Sequence, residues 1–401
     1  MLTVNEAQSI VIESAENSRI VETETLNSLG GILAEDVLAD RDLPPFDRAM
    51  MDGYAVISRD LATPATLALM PQVLAAGTWP EFTLESGSAV KVMTGAPLPP
   101  GADAVQKIEE TRTNGSRVEF LKGVIAGENV DPRGAEIKQG DIAVPRGTKI
   151  TSSVLGVIGS FGLQNVDVHP PPSVAVLTTG SEIVEFFESP GPSQIRNSNS
   201  LTLLGLLWRH GIEGRYMGRV KDDLQETATA LKSALDCDLV LITGGASIGD
   251  FDFVEAALQK IGAQVLFNKV SVKPGRPVTF ARLGEKAIFS LPGNPVSVAV
   301  TFLLFVDPFI KKCMGCNHVL PTTYYARLAV PFRKKGHRPF YVAGICTKSH
   351  AGIEVRPVPM RGSGDLVAFA RANCLIIAPE GDVAWNAGQE VEVLPLEAPH
   401  G

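Results

Sequence analysis

Apolar positions recur with two different periods along this chain, and the switches between them divide it. Thr3-Val-Asn-Glu6 has the form of a capping box, and Ala7, Ile10 and Val11 follow on one helical face. Residues 1 to about 20 are therefore expected as an amphipathic helix, with the body of the protein beginning over residues 26–39. In Leu43-Pro-Pro-Phe-Asp-Arg-Ala-Met-Met-Asp-Gly-Tyr-Ala-Val56 the prolines enforce extended or turn geometry, and Asp52-Gly53 signals a turn onto a short strand. From residue 66 to 148, short β-like runs (67–70, 89–93, 118–121 and 141–144) are separated by Gly and Pro, the pattern of a small β-rich domain.

Beyond the stiff His169-Pro-Pro-Pro172 the period lengthens. Strand-like runs at 173–177, 215–220, 239–242 and 287–291 alternate with helical patterns at 199–210, 222–235, 253–261 and about 296–313. That alternation predicts an α/β domain over residues 174 to about 314, with a parallel sheet and helices on both faces. Past Pro321 short strands return at 324–330, 339–347, 353–358, 374–378 and 390–394, suggesting a small barrel or sandwich.

Composition narrows the function more than the fold. A length of 401 residues suggests two to four domains, and 45% hydrophobic with 20% charged residues is ordinary for a globular protein. A formal charge of −8 argues against a nucleic-acid coat or a general membrane-surface role, so an anionic ligand must be met by a local basic cluster. The N-terminus lacks a basic-then-apolar leader pattern, and the longest apolar run, residues 296–306, is too short to span a bilayer. Five scattered cysteines fit a reducing compartment better than a disulfide framework, and a cytoplasmic protein is expected. Cys313-Met-Gly-Cys316, with His318 nearby, has no second pair, so a zinc or redox site is the minor reading there.

The candidate chemistry falls at the C-terminal ends of the α/β strands, where open parallel sheets bind ligands. Leu177-Thr-Thr-Gly-Ser-Glu182 follows the first strand and Asp222-Asp223 the second. Thr243-Gly-Gly-Ala-Ser-Ile-Gly-Asp250, with Asp252, follows the third, and Leu291-Pro-Gly-Asn-Pro295 another. Converging on one sheet edge, they would offer backbone N–H groups to a phosphate and carboxylates to a divalent cation. The bland alternatives are tight turns that need glycine, with Asp222 and Asp250 as helix caps. Lys269, Ser271 and Lys273 share one face of an extended chain and Arg276 follows, which reads either as an oxyanion site or as a solvated basic edge. Arg333-Lys-Lys-Gly-His-Arg338 is a second basic group, an exposed hairpin unless its domain folds over the same pocket. There is no Walker lysine, G-x-S-x-G elbow or dinucleotide fingerprint, and none of the six histidines falls in the motif loops. Carboxylates, lysines and backbone amides suit phosphate-anhydride chemistry assisted by Mg²⁺.

These motifs, in this order, resemble the molybdopterin molybdenumtransferase family, that is bacterial MoeA and the C-terminal domain of gephyrin. The likeness covers essentially the full length. It is carried by Pro45-Phe-Asp-Arg-Ala-Met-Met-Asp-Gly-Tyr-Ala-Val56, Met93-Thr-Gly-Ala-Pro97, Thr179-Gly-Ser-Glu182, Thr243 to Asp250, Val272-Lys-Pro-Gly-Arg-Pro277 and Leu291-Pro-Gly-Asn-Pro-Val-Ser297. It implies a helical linker region (1–25, 41–51 and 146–172), a β-rich domain (26–40 and 52–145), a central three-layer α/β domain with a mostly parallel sheet (173–317) and a C-terminal β-barrel (318–401). It implies Mg²⁺-dependent insertion of molybdate into adenylylated molybdopterin with release of AMP, in a homodimer whose site is shared between protomers.

By matching position, the resemblance makes Glu182, Asp222 and Asp252 the metal set, and these with Asp52, Lys269 and Lys273 the catalytic set. Asp52 and Thr94 would come from the second protomer. Thr179, Gly180, Ser181, Asn199, Gly244, Gly245, Gly249 and Asp250 would cradle the nucleotide and substrate, with Pro292, Gly293, Asn294 and Pro295 as the wall. Ser247, Lys273, Arg276, Ser297, Arg338 and Ser363 would bind molybdate, a tetrahedral dianion that needs hydroxyl donors and fixed positive charge. The chain departs from the family pattern at Glu136, at Asn197-Ser-Asn199, which carries one negative charge fewer, and at Arg276, where Lys is common. The competing readings are a tungstate-specific paralogue, an adenylyltransferase on the same α/β domain, and a non-catalytic scaffold. The flanking β-domains and the intact carboxylate and lysine sets favour the transferase.

Overall fold

The computed structural model describes residues 1–244, 253–350 and 352–396. Two compact units divide the chain: residues 1–34, 147–151 and everything from 166 onward form one, and residues 35–146 with 152–165 form the other.

The first unit is built on a six-stranded sheet. Its order is Arg215–Val220, Val174–Thr179, Leu239–Thr243, Lys286–Leu291, Thr279–Leu283 and Gln264–Phe267. The first four strands run parallel, and only Thr279–Leu283 runs against them, pairing antiparallel with both of its neighbours, so the sheet is mostly parallel. Alternation along these strands separates two cores. Val174, Val176, Leu239, Leu241 and Phe289 point to one face, where they meet Leu203, Leu207, Val298 and Phe305 from helices. Ala175, Leu177, Val240, Ile242 and Ile288 point to the other, against Ala228, Leu231, Val254 and Leu258. Helices thus cover both faces, giving three layers.

The long apolar helix after the Leu291 strand is not uniform. It runs as Pro295–Thr301, a wider π-type segment Phe302–Val306, and Asp307–Cys313. The carbonyl of Leu304 accepts a hydrogen bond from the buried Gln8 side chain at 3.0 Å, which satisfies a group that the irregular turn exposes. Gln8 belongs to the N-terminal helix, and that helix is shorter than its sequence pattern. It spans Val4–Glu13 with the capping box intact, and Ser14 closes it. The linker region is also helical only in part. It holds this helix and Ser152–Ser160, while residues 41–51 contribute only the strand Arg48–Ala49.

At the C-terminal end of this unit, Tyr324–Leu328, Gly352–Pro357, Phe340–Ser349, Cys374–Ala378 and Glu390–Pro395 close into a five-stranded barrel in that order. Ala326, Val342, Cys346, Val355, Ile376 and Val393 fill it. The expected barrel is present, and closure removes the exposed edges that such short strands would carry.

The second unit is the β-rich domain. Its six-stranded sheet runs Ala104–Lys107, Gly53–Val56, Ser88–Val92, Ala65–Leu74, Arg117–Phe120 and Thr111–Asn114. Tyr54, Val56, Val118 and Phe120 pack on one face, and Ala55, Val90 and Val92 on the other.

Candidate active site

Three adjacent parallel strands end at one cleft of about 650 Å³. The Val174 strand delivers Thr178, Thr179 and Gly180, the Leu239 strand delivers Gly244, and the Lys286 strand delivers Pro292 and Gly293. The edge strand Arg215–Val220 adds Asp222 to the same lining. All four strand-end loops singled out in the sequence contribute, the third through Gly244. Gly245, Ser247, Gly249, Asp250 and Asp252 lie outside the described residues.

Close backbone approach explains the glycines. Gly244 has φ +91°, and a Cβ there would stand 2.3 Å from the carbonyl oxygen of Thr179. Its N–H donates to the Leu291 carbonyl at 3.2 Å, and Gly293 lies beside it. Gly180, at φ +140°, would place a Cβ 2.8 Å from Glu182 Oε2. The absence of a Cβ at these points is what lets the strand ends come this close, and their backbone lines the cleft.

The carboxylates are positioned by different means. Asp223, not Asp222, is the helix cap: its Oδ1 accepts from the N–H groups of Gln225 and Glu226, both at 2.8 Å, and the helix is Leu224–Ala234. Capping was one reading of Asp222, and its neighbour takes that role, because the first turn begins one residue later. Asp222 instead accepts the Ser181 N–H on Oδ2 at 2.8 Å, tying two strand-end loops together, and its Oδ1 has no protein partner among the described residues. Glu182 is exposed on the same lining. Among the described residues no three His, Cys, Asp or Glu side chains converge into a metal-ligand cluster.

Asn199 opens its helix with the side chain turned into the cleft, donating from Nδ2 to the Gly293 carbonyl at 2.7 Å. Its Oδ1 and the Thr179 hydroxyl are buried without a hydrogen-bond partner among the described residues. An unsatisfied buried acceptor and hydroxyl facing one cleft are what a polar ligand would satisfy. Asn294 and Pro295 begin the next helix at the far wall, closed by Gly364 and Leu366 from a barrel loop. The Val296 N–H donates to the Ser363 carbonyl at 3.1 Å, which fixes that loop.

The sequence marked Asn197 only as a lost negative charge and gave it no role. Its Nδ2 donates to Tyr216 Oη at 2.9 Å and Thr178 Oγ1 at 3.2 Å, and its Oδ1 accepts the Ser200 N–H at 3.1 Å. Tyr216 in turn donates to Glu185 at 2.8 Å; burial and that carboxylate push its phenol up to about 12. The signal was available in the Asn197-Ser-Asn199 triplet, whose two amides point apart, one into the core and one into the cleft.

The basic segment is extended as expected. Val270 and Val272 are fully buried while Lys269 and Lys273 are exposed. It is not a solvated edge, however. Ser271 N–H donates to Leu2 O at 2.7 Å, and Lys273 exchanges backbone bonds with Pro339 and Tyr341 of the barrel at 2.9 and 2.8 Å. The second basic group therefore meets the first. Arg338 Nη1 donates to the Val272 carbonyl at 3.2 Å, and Lys273 Nζ sits 4.5 Å from the centre of the Phe340 ring. Lys334 is buried, and desolvation together with the nearby Lys273 charge lowers its pKa, opposed by Asp382 and Glu380. Arg276 Nε is buried without a partner among the described residues. Pro277, the next residue, lines the cleft, whereas Lys269, Lys273, Ser297 and Arg338 do not reach the lining.

In the second unit, Asp52 Oδ1 accepts both the N–H and the hydroxyl of Thr94, at 2.7 and 2.8 Å. Those bonds, backbone first, hold the Asp52 carboxyl below its ordinary range, with a further contribution from Lys91. Glu136 accepts from Arg48 at 3.0 Å, beside the Arg48–Asp131 pair at 2.7 Å.

Three family models match the chain: "MoeA N-terminal region (domain I and II)" over residues 2–162, "Probable molybdopterin binding domain" over 175–312, and "MoeA C-terminal region (domain IV)" over 325–396. A Staphylococcus epidermidis protein named molybdopterin molybdenumtransferase is 35% identical over 402 residues, covering 99% of this chain and 96% of that protein. A Staphylococcus aureus protein of the same name is 33% identical over the same span. The crystal structure of a molybdopterin biosynthesis MoeA protein from Pyrococcus horikoshii superposes with a TM-score of 0.84 at 28% identity, covering 98% of this chain and all of that one.

Proposed function

This chain belongs to the molybdopterin molybdenumtransferase (MoeA) family, enzymes of molybdenum cofactor biosynthesis, and from that premise we propose that its cleft binds adenylylated molybdopterin and exchanges the adenylate for molybdate, releasing AMP. The observation that carries the reading is the cleft itself. Bare backbone at Gly180, Gly244 and Gly293 meets two carboxylates and two unsatisfied buried polar groups at the ends of parallel strands. The glycine backbones give a phosphate room to approach, and Asn199 and Thr179 orient the polar groups beside it.

Glu182 and Asp222 offer hard oxygen donors, and Mg²⁺ takes one or two carboxylates with phosphate and water oxygens completing its shell, so the residues fit that ion. When bound there, it would neutralise charge on the pyrophosphate linkage. Ser181 holds Asp222 in place through its N–H, leaving the second oxygen for the cation.

Molybdate is read as the ligand of the basic seam between the α/β domain and the barrel. Lys273, Arg276 and Arg338 supply fixed charge, and Pro277 connects the seam to the cleft. Lys273→Ala is expected to raise the molybdate concentration needed for half-maximal turnover at least tenfold while AMP binding by calorimetry stays within twofold. An equal loss of both would assign Lys273 to the phosphates instead.

The Asp52–Thr94 pair is read as the contribution of a second copy of the chain, in a homodimer. Asp52→Ala and Asp222→Ala proteins should each be inactive alone. Mixed one to one and allowed to exchange subunits, they should recover about a quarter of wild-type activity, since half the dimers then hold one intact site. No recovery in mixtures shown to contain heterodimers would place both residues in one chain's site.

A further inference from the structure

The second unit carries a feature that the reaction chemistry above leaves unused. Trp79 is 66% exposed, far more than a large aromatic ring usually is, and it meets Phe46 edge to face with ring centres 5.8 Å apart. Both rings belong to the end of the sheet that carries Asp52 and Thr94. The Met93 N–H donates to the Leu74 carbonyl at 2.9 Å, and a Cβ on Gly95 would touch Ala76 at 3.6 Å, so the loop leading to Trp79 packs on the Thr94 turn. The Phe46 loop joins the same turn. Leu98 N–H donates to Asp47 O at 2.9 Å, and Gly95 N–H to Ala49 O at 2.8 Å. Met50 and Met51, on the Phe46 loop, and Met93, next to Thr94, are also exposed. An apolar surface of this kind rimmed by polar groups marks a binding site.

The chemistry narrows the occupant. An edge-to-face pair leaves ring faces free for a third planar ring. Asp52 uses only Oδ1 on Thr94, and its Oδ2 has no protein partner among the described residues. A carboxylate oxygen accepts hydrogen bonds only. An aminopyrimidinone edge presents adjacent N–H donors to it, whereas the Watson–Crick edge of adenine places a lone pair beside its amino group.

We propose that Phe46 and Trp79 form the stacking platform for the pterin ring of the substrate, with Asp52 reading the aminopyrimidinone edge and so selecting pterin over adenine at this end. This rests on the transferase reading above.

Trp79 emission supplies a readout separate from turnover. Titrating 2-amino-4-oxopteridine-6-carboxylate into the full-length wild-type protein should quench tryptophan emission saturably, after correction for pterin absorption, and AMP should not. Trp79→Phe should abolish the quench yet keep the KM for adenylylated molybdopterin within about threefold, because a stacking ring remains. Trp79→Ala should raise that KM at least tenfold with kcat within twofold. In Asp52→Asn, the affinity for the pterin should fall at least fivefold while that for AMP holds. A quench that AMP reproduces, or one that survives in Trp79→Phe, overturns the platform. So does an unchanged KM in folded Trp79→Ala. If instead wild-type protein binds the pterin as described but forms no cofactor, the platform stands and the transferase reading falls.

Discussion

Replacing Gly244 with alanine should empty the cleft of nucleotide and destabilise its unit by about 2–4 kcal/mol, roughly 1–3 from the steric insertion and about 1 from the left-handed backbone. Two independent causes act at this position. The backbone is left-handed at φ +91°, and a Cβ would stand 2.3 Å from the Thr179 carbonyl oxygen and 2.8 Å from its hydroxyl. Neither neighbour can retreat cheaply. Thr179 ends the fully buried Val174 strand, and Gly244 is itself tied to Leu291 on the strand beyond. Relief requires the tips of the two strands to part, which moves Gly180 and Gly293 away from the positions that frame the cleft. Gly218→Ala separates the causes, because Gly218 has nearly the same φ, +92°, and open space around the would-be Cβ. That control should cost only about 1 kcal/mol, the backbone term alone. Urea unfolding and AMP calorimetry on both variants check the expectation. If Gly244→Ala behaves like Gly218→Ala in both, close approach at Thr179 does not shape the site.

The same geometry explains which parts of the site were legible in the sequence. Glycine at a strand end beside a hydroxyl or an amide, in three loops, and the acidic pair Asp222-Asp223 in the fourth are local signals, and all four loops line one cleft. What escaped was set by partners far away in sequence. Asp222 and Asp223 are adjacent and identical in type, yet only the exact start of the helix decides which one caps it and which holds Ser181. Asn197 stands out in the sequence only as a missing charge, and its burial depends on Tyr216 and Thr178. The sheet order was missed on one side for a related reason. Gln264–Phe267 and Thr279–Leu283 flank the basic segment, and the latter forms a hairpin with Lys286–Leu291 whose two-residue turn, Gly284-Glu285, has φ +58° at glycine. The two basic groups were each visible, but their meeting at Val272 and Arg338 is tertiary information.

Asp307→Ala should be strongly damaging although it lies away from the cleft, lowering stability at pH 7 by about 2–4 kcal/mol, because it removes the partner of the Lys311 ammonium and of a partly buried His210 nitrogen. Asp307 opens the last segment of the long helix with its side chain only 12% exposed. Oδ1 meets His210 Nε2 at 2.8 Å, and Oδ2 meets Lys311 Nζ at 2.7 Å. Burial alone would raise the carboxyl pKa, but the His210 hydrogen bond and the Lys311 charge outweigh it, and the folded-state value lies below the ordinary one. A group depressed in this way contributes its full stability above the unfolded-state pKa, about 3.9, and loses it as pH falls through the folded value. Wild-type protein should accordingly weaken on the acid side of that window, and Asp307→Ala should lack this component of the slope. Asp307→Asn keeps an acceptor for His210 and loses only the charge, so it should cost about 1 kcal/mol, the worth of a partly exposed ion pair. Urea unfolding of the three proteins between pH 3 and 8 separates these outcomes. Equal losses for Asn and Ala would show that the charge on Asp307, rather than the hydrogen bond to His210, holds this helix to its neighbour.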